Sequence, residues 1–123
     1  MQTVRKKILI IDDDPAGTRL LSAVLEMEGF QPLILENWRD PLKEVAQLQP
    51  DLVIMDVYLR TTTGLHLLSR LREHPDPQVA RIPVLMMSAE NQAHKSAQAG
   101  ANGFLEKPFQ IQDLLDAIRN ATA

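Results

Sequence analysis

The chain has 123 residues, a formal net charge of -3 and no cysteine, a length that fits one domain around one hydrophobic core. With 45% hydrophobic and 24% charged residues it is too apolar to be disordered, and the lack of cysteine excludes disulfides, thiolate zinc sites and cysteine nucleophiles. The basic start Arg5-Lys6-Lys7 is followed by only four apolar residues before Asp12; that is neither signal peptide nor membrane span, and too short a basic run for phosphate-backbone binding, so the expectation is a cytoplasmic protein with no membrane and no direct nucleic-acid contact.

Apolar runs of strand length alternate with stretches of helical periodicity, and the alternation repeats about five times, the signature of a parallel sheet covered by helices. Ile8 to Ile11 is a continuous, mostly β-branched run, as expected of a strand buried on both faces, and it ends at Asp12. Asp14-Pro15 reads as a helix start, a capping carboxylate followed by proline at the first helical position. Leu20, Leu21, Val24 and Leu25 predict the buried stripe of that helix, and Gly29 its end. A second strand is predicted at Pro32 to Leu35, and a second helix from Asp40-Pro41 with Leu42, Val45 and Ala46 inward, stopped at Pro50. The third strand, Leu52 to Met55, runs into Asp56. Beyond a polar loop containing Arg60 and three threonines, Leu67, Leu68 and Leu71 mark a third helix capped by Thr62 or Thr63. Strand four is Val84 to Met87, ending at Ser88, and the polar, alanine-rich segment Asn91 to Gln98 gives the weakest helical signal. A short fifth strand around Gly103 to Leu105 leads to Lys107-Pro108, and the last helix carries Ile111, Leu114, Leu115 and Ile118 at helical spacing. No linker, repeat or low-complexity stretch divides the chain, so residues 1–123 read as a single domain.

Four of the five strands are followed at their carboxyl ends by reactive polar residues: Asp12, Asp13 and Asp14, then Asp56, then Ser88, then Lys107. In open α/β sheets ligands bind in the crevice at those ends. A lone aspartate or serine there would be ordinary cap or turn chemistry, and a lone lysine a surface residue; the coincidence of four strand ends is what points to a site. Carboxylates gathered within a few Å either hold protons or neutralise themselves with a cation. Oxygen-only ligands, with no cysteine and no paired histidine, favour Mg²⁺ or Mn²⁺. Mg²⁺ keeps waters and shares its ligands with a phosphate, so Lys107 reads as the point charge for a phosphoryl group and Ser88 as a neutral donor to it. The inventory is that of phosphoryl transfer to a carboxylate, with Asp56 the residue modified.

The segments Ile8 to Asp14, Leu52 to Asp56 with Gly64, Val84 to Ala89 and Ala99 to Phe109 together resemble the receiver domain of two-component response regulators, over the whole chain. The resemblance implies a flavodoxin-like, doubly wound (βα)5 fold, a five-stranded parallel sheet of order 2-1-3-4-5. It further implies that Asp56 takes a phosphoryl group from a phosphohistidine on a sensor histidine kinase or histidine phosphotransfer protein. Asp13 and Asp56 would coordinate Mg²⁺ directly, Asp12 mainly through water, and the main-chain carbonyl of Tyr58 would add a ligand. Asp14, at a variable family position, is the helix cap. Ser88 and Lys107 match the switch hydroxyl and the lysine of the family motif, and Phe104 matches the aromatic that moves as the hydroxyl is drawn in; without a hydroxyl it can report by packing alone. The family transmits its change through the face of the fourth helix, fifth strand and fifth helix, to an output domain or downstream protein. The weak Asn91 to Gln98 helix is the element that low local stability leaves free to shift. On this reading the domain is a phosphoacceptor switch rather than an enzyme, and it fits a stand-alone protein and a portion of a longer chain equally.

Where the family usually has proline four residues after the phosphoacceptor, this chain has Arg60. Tyr58 and Glu90 occupy positions that tune the lifetime of the acyl phosphate in that family, and a ring at position 58 predicts slow self-dephosphorylation. Met55, Met86 and Met87 read as core filler; His66, His74 and His94 lack ligand spacing and read as solvated; Trp38 fits a staple beside the second helix or a partner contact. Two other readings stand beside the switch. One is a pseudo-receiver used as a constitutive docking module. The other is a phosphatase resembling the haloacid dehalogenase group, for which Asp12-Asp13-Asp14 supplies an Asp-x-Asp pattern with Asp12 as nucleophile.

Overall fold

The computed structural model describes residues 4–123. Along the chain run β1 (Lys7–Ile11), α1 (Pro15–Met27), β2 (Gln31–Ile34), α2 (Pro41–Leu48), β3 (Leu52–Asp56), α3 (Gly64–Arg72), α4 (Pro77–Ala80), β4 (Val84–Ser88), α5 (Ala93–Ala99), β5 (Gly103–Glu106) and α6 (Ile111–Ala121). All neighbouring strands pair in parallel, in the order β2-β1-β3-β4-β5, as the resemblance implied. Because side chains alternate across a strand, Leu9, Ile11, Val53, Met55, Val84 and Met86 enter one core layer with Val45 of α2 and Leu67, Leu68 and Leu71 of α3. Ile8, Ile10, Leu52, Ile54, Leu85 and Met87 enter the other, under Leu21 and Leu25 of α1 and Leu114 and Ile118 of α6. Leu25 and Leu68 are fully buried, and each such side chain stabilises the fold by about 2 kcal/mol.

The strands reach further than their apolar runs. β3, β4 and β5 each extend one residue past Met55, Met87 and Leu105, so that Asp56, Ser88 and Glu106 belong to the sheet, while β2 lies one residue earlier than Pro32 to Leu35. Asp56 pairs with Met87, and Ser88 with Glu106; polar residues that look like loop in the sequence are thereby fixed by ladder geometry. Asp14 and Asp40 cap α1 and α2 as expected, and of the two threonines it is Thr63 that caps α3, accepting from the His66 N–H at 3.1 Å. The one-turn α4 was not expected: Asp76-Pro77 repeats the Asp-Pro start signal, but four residues are too few to leave a periodicity.

Two residues assigned to buried stripes lie outside them. Leu20 is 69% exposed and Ile111 51% exposed. Leu21 and Leu25 already carry the inward face of α1, and Ile111 opens α6 ahead of its first buried residue, Leu114. The weak helix runs Ala93–Ala99 rather than Asn91 to Gln98, and its N-terminal residue Gln92 makes no side-chain cap. His66 and His94 are exposed. His74 is half-buried, and its Nδ1 accepts from the Asp76 N–H at 3.1 Å, so that ring is part of a turn rather than freely solvated.

Candidate functional site

Strands β1 and β3 are neighbours with Ile11 opposite Met55, which brings the next residues of each chain, Asp12 and Asp56, side by side at the sheet's carboxyl edge. By the same alternation both fall on the α1–α6 side. Each is only 8% exposed. Lys107, beyond the end of β5, reaches back across β4: its Nζ donates to Asp56 Oδ2 at 2.5 Å and stands 3.9 Å from Asp12 Oδ2. Asp56 Oδ1 accepts from the Tyr58 N–H at 3.0 Å, and Asp12 Oδ1 from the Asp14 N–H at 3.0 Å. The buried hydroxyl of Thr18 donates toward the carbonyls of Asp12 at 3.2 Å and Asp14 at 2.8 Å, tying α1 to the end of β1.

Gly64 has a steric role at this edge. Its N–H donates to the Val57 carbonyl at 2.7 Å, and a Cβ there would lie 2.1 Å from the Asp56 carbonyl oxygen. Any side chain would displace the backbone that carries Asp56.

Burial raises the Asp12 carboxyl above its ordinary value, the Asp14 N–H and Lys107 oppose the rise, and the negative charges of Asp56 and Asp14 add to it. Three carboxyl groups, of Asp12, Asp13 and Asp56, thus stand at this edge beside one lysine. The donors at hand for a cation are oxygens: the carboxylates of Asp12, Asp13 and Asp56 and the main-chain carbonyl of Tyr58. Among the described residues no three acidic or histidine side chains converge closely enough to enclose a metal ion by themselves. This donor set fits an ion that keeps water and shares a ligand with phosphate, as Mg²⁺ does, and does not fit zinc or copper. Asp13 is the carboxylate that stands apart, its Oδ2 accepting from the Arg60 N–H at 2.6 Å.

Ser88 is fully buried, and its Oγ accepts from the Glu90 N–H at 3.1 Å. Alternation from Met86 sends Ser88 to the opposite side of the sheet from Asp12 and Asp56. Phe104 is half-buried against the same layer, on the strand next to Ser88. Tyr58 is 51% exposed, and its hydroxyl donates to Glu90 Oε2 at 3.0 Å and accepts from Gln92 Nε2 at 3.0 Å. The carboxylate of Glu90 raises the Tyr58 phenol above its ordinary value, chiefly through that hydrogen bond. Loops β3–α3 and β4–α5 are thus joined across the mouth of the pocket.

Four participants escaped the reading of the sequence. Thr18 bonds the carbonyls of Asp12 and of its own helix cap Asp14, Gln92 bonds a side chain of another loop, the Arg60 contact uses backbone, and Arg72 serves backbone carbonyls from separate loops. None leaves a spacing pattern. Trp38, 38% exposed, lines an open cavity of about 560 Å³ together with Asp12, Asp13 and Arg60, beside the first strand's acidic end.

The model of the response regulator receiver domain matches residues 8–119. The chain is 40% identical to the DNA-binding dual master transcriptional regulator RpaA of Synechocystis sp., over 92% of this chain and 47% of that protein. Among solved structures it resembles the chemotaxis response regulator CheY4 of Vibrio cholerae, at 25% identity and a TM-score of 0.84, covering 96% of this chain and 99% of that one. It also resembles the signal receiver domain of a signal transduction histidine kinase from Syntrophus aciditrophicus, at 28% identity and a TM-score of 0.82, covering 95% of this chain and 89% of that one. The chain spans about half the length of the curated relatives it matches. Among the described residues no helix is long and apolar enough to cross a membrane. With its fold, its strand-end carboxylates and this match over nearly all of its length, the chain belongs to the response regulator receiver domains of two-component systems.

Proposed function

We propose that this receiver domain accepts a phosphoryl group on Asp56 from a phosphohistidine of a sensor histidine kinase or histidine phosphotransfer protein, and passes the resulting change to an output domain or partner. The observation that carries the reading is Lys107, whose Nζ spans the two buried carboxylates at 2.5 Å from Asp56 and 3.9 Å from Asp12. An Asp56 oxygen attacks phosphorus as the P–N bond to the donor imidazole breaks, and the imidazole leaves with the bonding pair. Lys107 then exchanges its contact with Asp56 Oδ2 for a phosphoryl oxygen, and the Tyr58 N–H holds the other carboxylate oxygen. Bound by Asp12, Asp13, Asp56 and the Tyr58 carbonyl, Mg²⁺ (or Mn²⁺) would supply the positive charge that phosphoryl transfer requires. The hydroxyl of Ser88 turns to a phosphoryl oxygen, and Phe104 follows into the vacated space.

The donor has to bring its imidazole to the pocket mouth. Beside Asp12 and Lys107 runs a groove of about 530 Å³ lined by Leu20, Val24, Pro108, Phe109 and Ile111. The exposed Leu20 and Ile111, which the core does not use, are apolar anchors within reach of that mouth and suit the helix that carries a donor histidine. The output is read from the face of α5, β5 and α6. A transcriptional regulator, as RpaA is, or a histidine kinase, as the Syntrophus protein is, are both settings for such a domain.

The test is intact mass after incubation with acetyl phosphate, with and without Mg²⁺, for the parent, Asp56→Asn and Tyr58→Asn. The expected result is a cation-dependent gain of one phosphoryl group in the parent, none in Asp56→Asn, and faster loss after donor removal in Tyr58→Asn, where the exposed ring no longer screens the acyl phosphate. No gain under any condition would contradict the reading and leave a constitutive docking module. Loss from Tyr58→Asn at the parent's rate would contradict the screening role alone.

A further inference from the structure

We infer that the main-chain N–H of Arg60 positions Asp13 for the cation, so that the β3–α3 loop, through its backbone, completes the acidic pocket. The inference rests on the proposed divalent-cation reading and concerns how this chain's own residues prepare for the ion. Asp12 is held by the Asp14 N–H and approached by Lys107, and Asp56 is held by the Tyr58 N–H and Lys107. Among the described residues Asp13 has neither the lysine nor an N–H from two residues further along its own segment. Among the described residues the single hydrogen bond its carboxylate accepts comes from the Arg60 N–H, at 2.6 Å across 47 positions of sequence.

The loop that aims this N–H is braced by one antiparallel bridge closed by two hydrogen bonds. Tyr58 and Thr63 form an antiparallel bridge, the Leu59 N–H donates to the Thr62 carbonyl at 3.2 Å, and the Gly64 N–H donates to the Val57 carbonyl at 2.7 Å. Arg60 sits within that turn with its residue exposed, so its backbone and not its guanidinium makes the contact. One Asp13 oxygen is engaged, which leaves Oδ1 without a hydrogen bond among the described residues, on a side chain that lines the open cavity with Asp12 and Arg60. Outer hydrogen bonds that orient a ligating group typically change metal affinity by about 10–100-fold when lost. Proline, the residue common at this place in the family, has no N–H to give; this chain holds its first-strand acid by a contact that a proline chain lacks.

The experiment measures Mn²⁺ uptake, counted from the electron paramagnetic resonance of the free ion, by the parent, Arg60→Pro and Arg60→Ala. The expected result is binding weakened about 10-fold or more in Arg60→Pro and little changed in Arg60→Ala, which keeps the N–H. Equal binding by Arg60→Pro and the parent, or equal weakening in both variants, overturns the inference while leaving the cation reading intact. A parent that takes up no Mn²⁺ overturns the cation reading and this inference with it. A second measurement avoids the proline variant and any misfolding it causes. Amide exchange at Arg60 should quicken in Asp13→Ala and stay near the parent's rate in Asp13→Asn, whose side-chain carbonyl still accepts; the same rate in all three chains overturns the inference.

Discussion

The C-terminal end of α5 runs into Gly100, whose carbonyl accepts from Arg72 Nε at 2.9 Å, whereas the N-terminal end begins at Gln92, which caps nothing and is tied by its side chain to the Tyr58 hydroxyl at 3.0 Å. The contrast extends around each contact. Arg72 also donates to the carbonyls of Ala80 at 2.8 Å and Ile82 at 2.7 Å and to Asn102 Oδ1 at 2.9 Å, joining α3, α4 and the approaches to β4 and β5. It does so half-buried and with no carboxylate partner among the described residues, and burial lowers its pKa. Gly100 is at φ +103°, which favours glycine, and a Cβ there would meet the Arg72 side chain at 3.1 Å, so the arginine would have to shift by a few tenths of an ångström. The Tyr58, Glu90 and Gln92 contacts lie instead at the surface, where each hydrogen bond contributes about 1 kcal/mol or less. Midway, the buried Ser96 hydroxyl has no partner among the described residues. A helix pinned at one end and lightly latched at the other opens from the latched end. The latch residue Tyr58 is the one whose N–H holds Asp56.

Removing the pin should have the largest effect. Arg72→Ala leaves part-buried carbonyls at Gly100, Ala80 and Ile82 without that donor, and hydrogen bonds to a charged donor contribute about 1.5–3 kcal/mol each. Thermal unfolding should fall by about 10 °C or more, and a loss of only a degree or two would break the distinction between the two ends. Relieving pocket charge should act on stability without touching either end. The Asp12 carboxyl is raised by burial, so the folded chain keeps a proton that the unfolded chain has released. The stability this gives is fully present below the ordinary 3.8 and is lost as pH rises through the folded value. At neutral pH without divalent cation, Asp12→Asn should therefore melt a few degrees above the parent, and the gap should close as pH falls toward 4 in a circular-dichroism melt series. A variant less stable than the parent at pH 7 would contradict the charge account.

The sheet and the pocket were legible because both follow from period-two strands ending in polar residues: Asp12, Asp56, Ser88 and Lys107 all stand at the carboxyl edge where their runs stop. The helix stripes were less so. Leu20 and Ile111 fit helical spacing, but periodicity does not say how far a helix face is covered by its neighbours, and both stay exposed beside the pocket. Asp13 was legible as an acid at the end of the first strand, but the Arg60 N–H that holds it is a backbone group that no side-chain pattern records. Arg72, in the last turn of α3, looks like a surface charge; only the packing of three loops around it makes it a clasp. The α5 segment read as weak is held from outside itself, by residues 58 and 72.

The smallest expected change in global stability, under about 0.5 kcal/mol, belongs to Tyr58→Phe, which removes one exposed hydroxyl, and it supplies the comparison for the most direct test of a pivoting α5. That test is residue-resolved amide exchange along residues 92–102, for the parent before and after phosphorylation and for Tyr58→Phe without it. The account predicts faster exchange from Ala93 to Ser96 in both the phosphorylated parent and the variant, with Ala99 to Asn102 keeping their protection. Equal change at the two ends of the helix, or no change at either, would contradict it.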